Sequence, residues 1–180
     1  IDSATWLDEN LADILVPMSS SYLNSENDIA GHVAAAHGTD TLIYAGLELY
    51  TFAHGPGSKM DLLRAVAAQS LHDGASGIYL FNYDCHRADR SSNYAYTEEE
   101  YRGLCELHDI EAIKKQNKIY FVASGWDVEG DLPRQLPRLI GCTGRFSDER
   151  QSCRLRIAED TETIRQAETQ VYNLFLRKLQ

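Results

Sequence analysis

Glu48 is the residue whose type and place ask for a chemical explanation. It stands near the end of residues 41–50, TLIYAGLELY, a run that is otherwise apolar apart from its first residue. A buried parallel strand is apolar on both sides, because helices cover one face and a core fills the other. Packing has no use for a carboxylate near the carboxyl end of such a strand, and in α/β enzymes that end is where ligands are met. The packing alternative is a rim glutamate paired with an Arg or Lys from a neighbouring loop. Asp84 closes a second apolar run, SGIYLFNYD. Neighbouring strands lie roughly 5 Å apart, so Glu48 and Asp84 can approach each other if the two runs pair. Two carboxylates about 5 to 10 Å apart carry out glycoside hydrolysis, one as acid and the other as nucleophile or base. Asp84 can equally cap its own turn.

The segments beyond these strand ends concentrate aromatic and imidazole rings: Tyr22, Tyr50, Phe52, His54, Tyr83, His86, Tyr94 and Tyr96. Flat rings on a cleft rim stack on the apolar faces of sugars, while Asn82 and the histidines can hydrogen-bond hydroxyls. Taken singly, each ring could equally be pinning down a long loop, so the signal is their concentration on one side. Candidate substrate-binding residues are therefore Tyr50, His54, Asn82, Tyr83, His86 and Tyr22. Other chemistries find less support. His54, His86 and Asp89 have no regular ligand spacing, so no metal is expected. Ser19, Ser20 and Ser21 lack a nucleophile elbow. No glycine loop follows a strand in the dinucleotide or phosphate-binding pattern, so no cofactor is expected. His32, His37, His72 and His108 fall on helices or at their ends and read as surface or satisfied side chains.

The elements that must hold these residues alternate. SATWLDEN has a helical flavour, with Trp6 and Leu7 available for packing, and ADILVPM reads as a short strand that Pro17 closes. Ser25 with Asp28 three residues on is an N-capping signature for a helix carrying Ile29, Val33 and Ala36, which Gly38 stops. Ser58 with Asp61 opens a second such helix, whose buried stripe is Leu62, Leu63, Val66, Ala67 and Leu71 and whose end is Gly74. Thr97 with Glu100 opens a third, with Tyr101, Leu104, Cys105 and Ile113 turned inward and Lys114 and Lys115 in its last turn, where cations suit the helix dipole. KIYFVAS is the expected fourth strand. Strands separated by amphipathic helices form a parallel sheet. Residues 19–24, 51–57 and 84–96 make long connections after strands, whereas the turns around Gly38, Gly74 and Asn117 are short. That is the asymmetry of an α/β functional side. The expected division is an α/β domain over residues 1–124, then a linker and C-terminal element over 125–180. In the latter, CRLRIAED alternates like a half-exposed strand and residues 160–180 suit helix or strand.

Bulk composition narrows the partners. The 180 residues carry a net charge of −10, which argues against nucleic acid and anionic membranes. No apolar run approaches a membrane span and no signal peptide opens the chain. Hydrophobic content of 43% and charged content of 24% fit one good core. Cys85, Cys105, Cys142 and Cys153 show no paired spacing for zinc or thioredoxin chemistry. Cys105 reads as core, and Cys142 with Cys153 could close a disulfide in an oxidising compartment.

ADILVPM, IYAGLELY, GIYLFNYD, KIYFVAS and DLPRQLP together resemble a group of glycoside-hydrolase-like (β/α)8-barrel proteins, the family-10-like uncharacterised glycosidases. Residues 6–125 are similar to the C-terminal part of such a barrel, and residues 125–180 to the start of the β-sandwich domain that follows it. The resemblance implies that residues 41–50 are the seventh strand, GIYLFNYD the last, and Glu48 the nucleophile. It also implies an acid/base from a fourth barrel strand that this sequence lacks. Accordingly the sequence is a piece of a longer enzyme, or a half-barrel completed by another chain, or a barrel whose chemistry is lost. A half-barrel exposes sheet edges and half a core, which favours self-association. If the carbohydrate reading holds, a secreted or periplasmic location is favoured. The expected fold is thus α/β, part of a (β/α)8 barrel, with a flavodoxin-like open sheet as the alternative. The expected function is glycoside hydrolysis, with a non-catalytic carbohydrate-binding or scaffold domain as its alternative.

Overall fold

The computed structural model describes residues 2–18, 27–48, 58–81, 97–120 and 156–159. In chain order these form α1 (Ser3–Asp8), β1 (Ile14–Leu15), α2 (Ile29–Ala35), β2 (Leu42–Glu48), α3 (Lys59–His72), β3 (Gly77–Phe81), α4 (Glu98–Leu104) and α5 (Ile110–Lys114). The described strands make a parallel sheet in the order β1-β2-β3. The expected alternation of strands and helices is present, and the chain is α/β.

Side chains with local hydrogen-bonding power set the helix starts. The Ser58 hydroxyl accepts from the Asp61 amide at the head of α3. At α4 the capping box is complete: the Thr97 hydroxyl accepts from the Glu100 amide at 3.2 Å, and the Glu100 carboxylate accepts from the Thr97 amide at 2.6 Å. At α2 the cap is Asp28, not Ser25. Its carboxylate accepts from the Gly31 amide at 3.0 Å, directly ahead of the buried Ile29. Ser25 itself lies outside the described residues. α3 ends in a Schellman turn. The Ala75 amide donates to the Ser70 carbonyl and the Gly74 amide to the Leu71 carbonyl, with Gly74 at φ +99°, a conformation that a side chain would strain. His32, His37, His72 and His108 are surface or satisfied as expected. The ring of His32 bonds the Asp28 carbonyl, and the other three are exposed.

Two clusters form the core on one face of the sheet. Leu7, Ile29, Ala36, Ile43, Ala45 and Ala75 pack beneath α1 and α2. Leu47 joins Met60, Leu62, Leu63, Val66, Ala67, Ala68, Leu107 and Ile113 beneath α3 to α5. Ile78 touches both clusters. The α3 stripe is as expected, with Leu71 at its half-buried margin. Each fully buried leucine in it contributes about 1.5–3 kcal/mol.

Several expectations are corrected. The third helix is two, because Asp109 interrupts it: its carboxylate accepts from the Glu111 and Ala112 amides and starts α5 afresh. The same break puts Cys105 at the end of α4, exposed, while Leu107 takes the core position. Residues 118–120, the start of the expected fourth strand, lie outside the sheet. The Lys118 ammonium donates to the Ile113, Lys114 and Gln116 carbonyls, capping α5, and pairs with Glu159 at 3.1 Å. The Ile119 amide donates to the Asp61 carbonyl of α3. Residues 156–159 of CRLRIAED are not a strand either. They are tied down by Arg156 on Asp73, at 2.6 Å, and by the Ala158 amide donating to the Tyr120 hydroxyl. Trp6 does not pack as Leu7 does; it is 41% exposed.

Candidate functional site

The sheet register builds this site. β2 and β3 are parallel neighbours, paired from Tyr44 with Gly77 to Glu48 with Phe81. The two described carboxyl ends therefore stop level with each other, Glu48 beside Phe81. Asp84 follows Phe81 by three residues. It lies outside the described residues, as do Tyr22, Tyr50, His54, Asn82, Tyr83 and His86. Of the expected site, the structure places Glu48, at the last residue of the middle strand.

Why β2 occupies the middle is visible at Gly46. Its amide donates to the Pro17 carbonyl at 3.0 Å, and its carbonyl accepts from the Asn27 side chain at 3.0 Å. Pro17 does not close the first strand's pairing, since Met18 still forms a bridge with Gly46. Proline lacks the amide donor but keeps its carbonyl, which is the group this pairing uses. A Cβ on residue 46 would lie 2.8 Å from that of Met18, so only glycine admits this approach. The chain thus leaves β2 at Met18 and returns to the same residue at Asn27. At the opposite end, the Leu42 amide donates to the Asp13 carbonyl and the Ser76 amide to the Ile43 carbonyl.

The two faces of this sheet differ. Ile43, Ala45 and Leu47 are buried under the helices, at 3%, 0% and 3% exposure. Alternate positions carry Leu42, Tyr44, Gly46 and Glu48, and from β3 Gly77, Tyr79 and Phe81. On this second face Leu42 is 45%, Tyr79 46% and Phe81 38% exposed, with Ile14 at 49% beside Leu42 and Met18 at 37% beside Gly46. The ring of Tyr44 lies over Gly77, where a Cβ would fall 2.9 Å from it. Burial of β2 on both faces, expected from its apolar run, is therefore not matched among the described residues: the helices pack on one face, while on the other Gly46 is buried, Tyr44 half-buried and Leu42 exposed. Sequence reasoning sought aromatic rings in the loops and passed over Tyr44, Tyr79 and Phe81. Their signal was phase, since in the paired register they share a face with position 48.

Position 48 thus stands at the carboxyl end of an uncharged, aromatic-lined sheet face. A carboxylate there can accept hydroxyl protons, stabilise a developing cation or attack as a nucleophile. Among the described residues no three His, Cys, Asp or Glu side chains converge as a metal site. Among the same residues no helix is long and apolar enough to cross a membrane. No protein-family model and no curated protein matches the chain.

Proposed function

We propose that this chain is a glycoside-hydrolase-like protein acting on carbohydrate from the carboxyl ends of its parallel strands. Glu48 is the nucleophile or general base and Asp84 its partner carboxylate. The observation that carries this reading is the place of Glu48. It ends the middle strand of the described sheet, level with the end of β3 and in phase with Tyr44, Tyr79 and Phe81. Two carboxylates at neighbouring strand ends are the minimum apparatus of glycoside hydrolysis, and exposed rings offer stacking surfaces for sugars. The barrel reading draws support from the order β1-β2-β3, which runs in chain order, and from the helices packed on one face. Successive right-handed crossovers in one direction wrap helices around the outside and leave the inner face to a barrel interior.

The test is reducing-sugar release from a panel of polysaccharides and oligosaccharides by the wild type and by Glu48→Gln, which keeps shape and removes charge. Turnover is expected to fall roughly a hundred- to ten-thousand-fold with sugar binding nearly intact. Equal turnover in the two proteins would remove Glu48 from the chemistry. The exposure of Tyr79 and Phe81 favours one second reading, a carbohydrate-binding domain without turnover. Its mark is sugar binding by a wild type that releases no reducing ends.

A further inference from the structure

We infer that residues 156–159 form a strap, closed on the α/β unit by charge and able to open without unfolding it. The inference is independent of the carbohydrate reading. At one end of the strap the Arg156 guanidinium donates to the Asp73 carboxylate, at the end of α3, at 2.6 Å. At the other end Glu159 pairs with the Lys118 ammonium at 3.1 Å and accepts from the Tyr120 hydroxyl at 3.2 Å. Between them the Ala158 amide donates to the same hydroxyl at 3.3 Å. The receiving groups are held by their own elements. Lys118 is also bonded to the Ile113, Lys114 and Gln116 carbonyls, and Asp73 is the C-cap of α3, its amide donating to the Gln69 carbonyl. Both receiving side chains are only 7% exposed.

Charge holds the strap because apolar burial contributes little. Ile157 is 41% exposed, and Ala158 alone of the strap residues packs against the α3 core cluster. One methyl group removes little apolar surface from water. Closing the strap, by contrast, orders its backbone and the long Arg156 and Glu159 side chains. The ion pairs must offset that cost. Arg156 is 46% exposed and its pair is open to screening by salt, while Lys118 and Glu159, at 7% and 20%, are screened less. A segment with few buried apolar contacts and hydrogen bonds near solvent belongs to the least stable part of a structure and opens locally. Neither core cluster counts a strap residue among its buried members, so both persist when the strap opens. Opening strips Asp73 of its guanidinium and Lys118 of its carboxylate, and it releases the described tie between Tyr120 and the chain from Arg156 onward. The strap thus couples the C-terminal part of the chain to the α/β unit through a connection that ionic strength controls.

The experiment is amide hydrogen exchange on the full chain, read by NMR at about 0.01 M and about 1 M sodium chloride, between which the Debye length falls from roughly 30 Å to roughly 3 Å. The Ala158 amide is expected to exchange at least about tenfold faster at the higher salt, with Leu63 and Ala67 inside α3 unchanged. Arg156→Gln is expected to give the faster rate already at low salt, and Arg156→Lys, which keeps the charge, to retain the slower one. Arg156 is half-exposed, so neither substitution disturbs the core, and the wild-type salt series decides the matter by itself. Three results would each overturn the inference. An Ala158 amide unprotected at low salt would mean that the strap is not closed. Equal protection at both salts would mean that charge does not hold it. Exchange of Ala158 rising together with that of Leu63 and Ala67 would mean that it opens only when the whole unit unfolds.

Discussion

The two faces of one short sheet receive the same kinds of residue and have different fates. On the helix side Ile43, Ala45 and Leu47 meet α2 and α3 and are almost wholly removed from water. One residue out of phase, Leu42 keeps nearly half its surface. The residues do not encode the difference in hydrophobicity, since leucine occurs on both faces. What decides it is direction. Strands that follow one another in chain order carry their helices to the same side, and the described helices all pack on the first face.

That contrast can be broken by substitution. Leu63→Ala, at a fully buried position, is expected to destabilise by about 2–5 kcal/mol. Leu42→Ala removes the same atoms from a half-exposed position and is expected to cost less than about 1 kcal/mol. Denaturant titration checks both, and equal losses would mean that the two faces are equally packed. Gly46→Ala is expected to cost about 1–3 kcal/mol by the same measurement. The new methyl group must displace Met18 and the Pro17 carbonyl, and the damage should fall on the pairing of β1 with β2.

The smallest expected effect lies at the head of α1. The Thr5 amide and hydroxyl donate to the Asp2 carboxylate, holding its pKa below the ordinary value. A depressed pKa means that this cap contributes to α1 above the ordinary carboxylate range, and that the contribution is lost as pH falls through the folded value. A carbon-detected pH titration should give Asp2 a midpoint lower than those of uncapped aspartates. An ordinary midpoint would show the cap to be unformed in solution.

Much of this was legible in the residues because the signals are local. Ser58, Thr97 and Gly74 act through bonds to amides and carbonyls a few residues away, and they set helix ends where the sequence says they should. Asp109 is a signal of the same kind that the apolar spacing from Tyr101 to Ile113 concealed. The removal of residues 118–120 from the sheet was not legible, because Lys118 is captured by carbonyls and by Glu159, forty-one positions along the chain. The open face was half legible. Alternation separates Leu42, Tyr44 and Glu48 from Ile43, Ala45 and Leu47, but which set faces the helices depends on crossovers that no single strand records. For the candidate site, Glu48 was readable as a carboxylate ending an apolar strand. Its level pairing with Phe81 needed the register.

The central claim is that the carboxyl ends of β2 and β3 are where this protein meets its ligand. Amide chemical shifts test it most directly, followed while cello-, malto-, xylo- and chito-oligosaccharides are titrated into the labelled chain. The expected result is perturbation concentrated at Leu47, Glu48, Leu80 and Phe81, with Leu42, Ile43, Gly77 and Ile78 little changed. Perturbation centred on the amino ends of the strands, or no perturbation with any of the four sugar series, would contradict it.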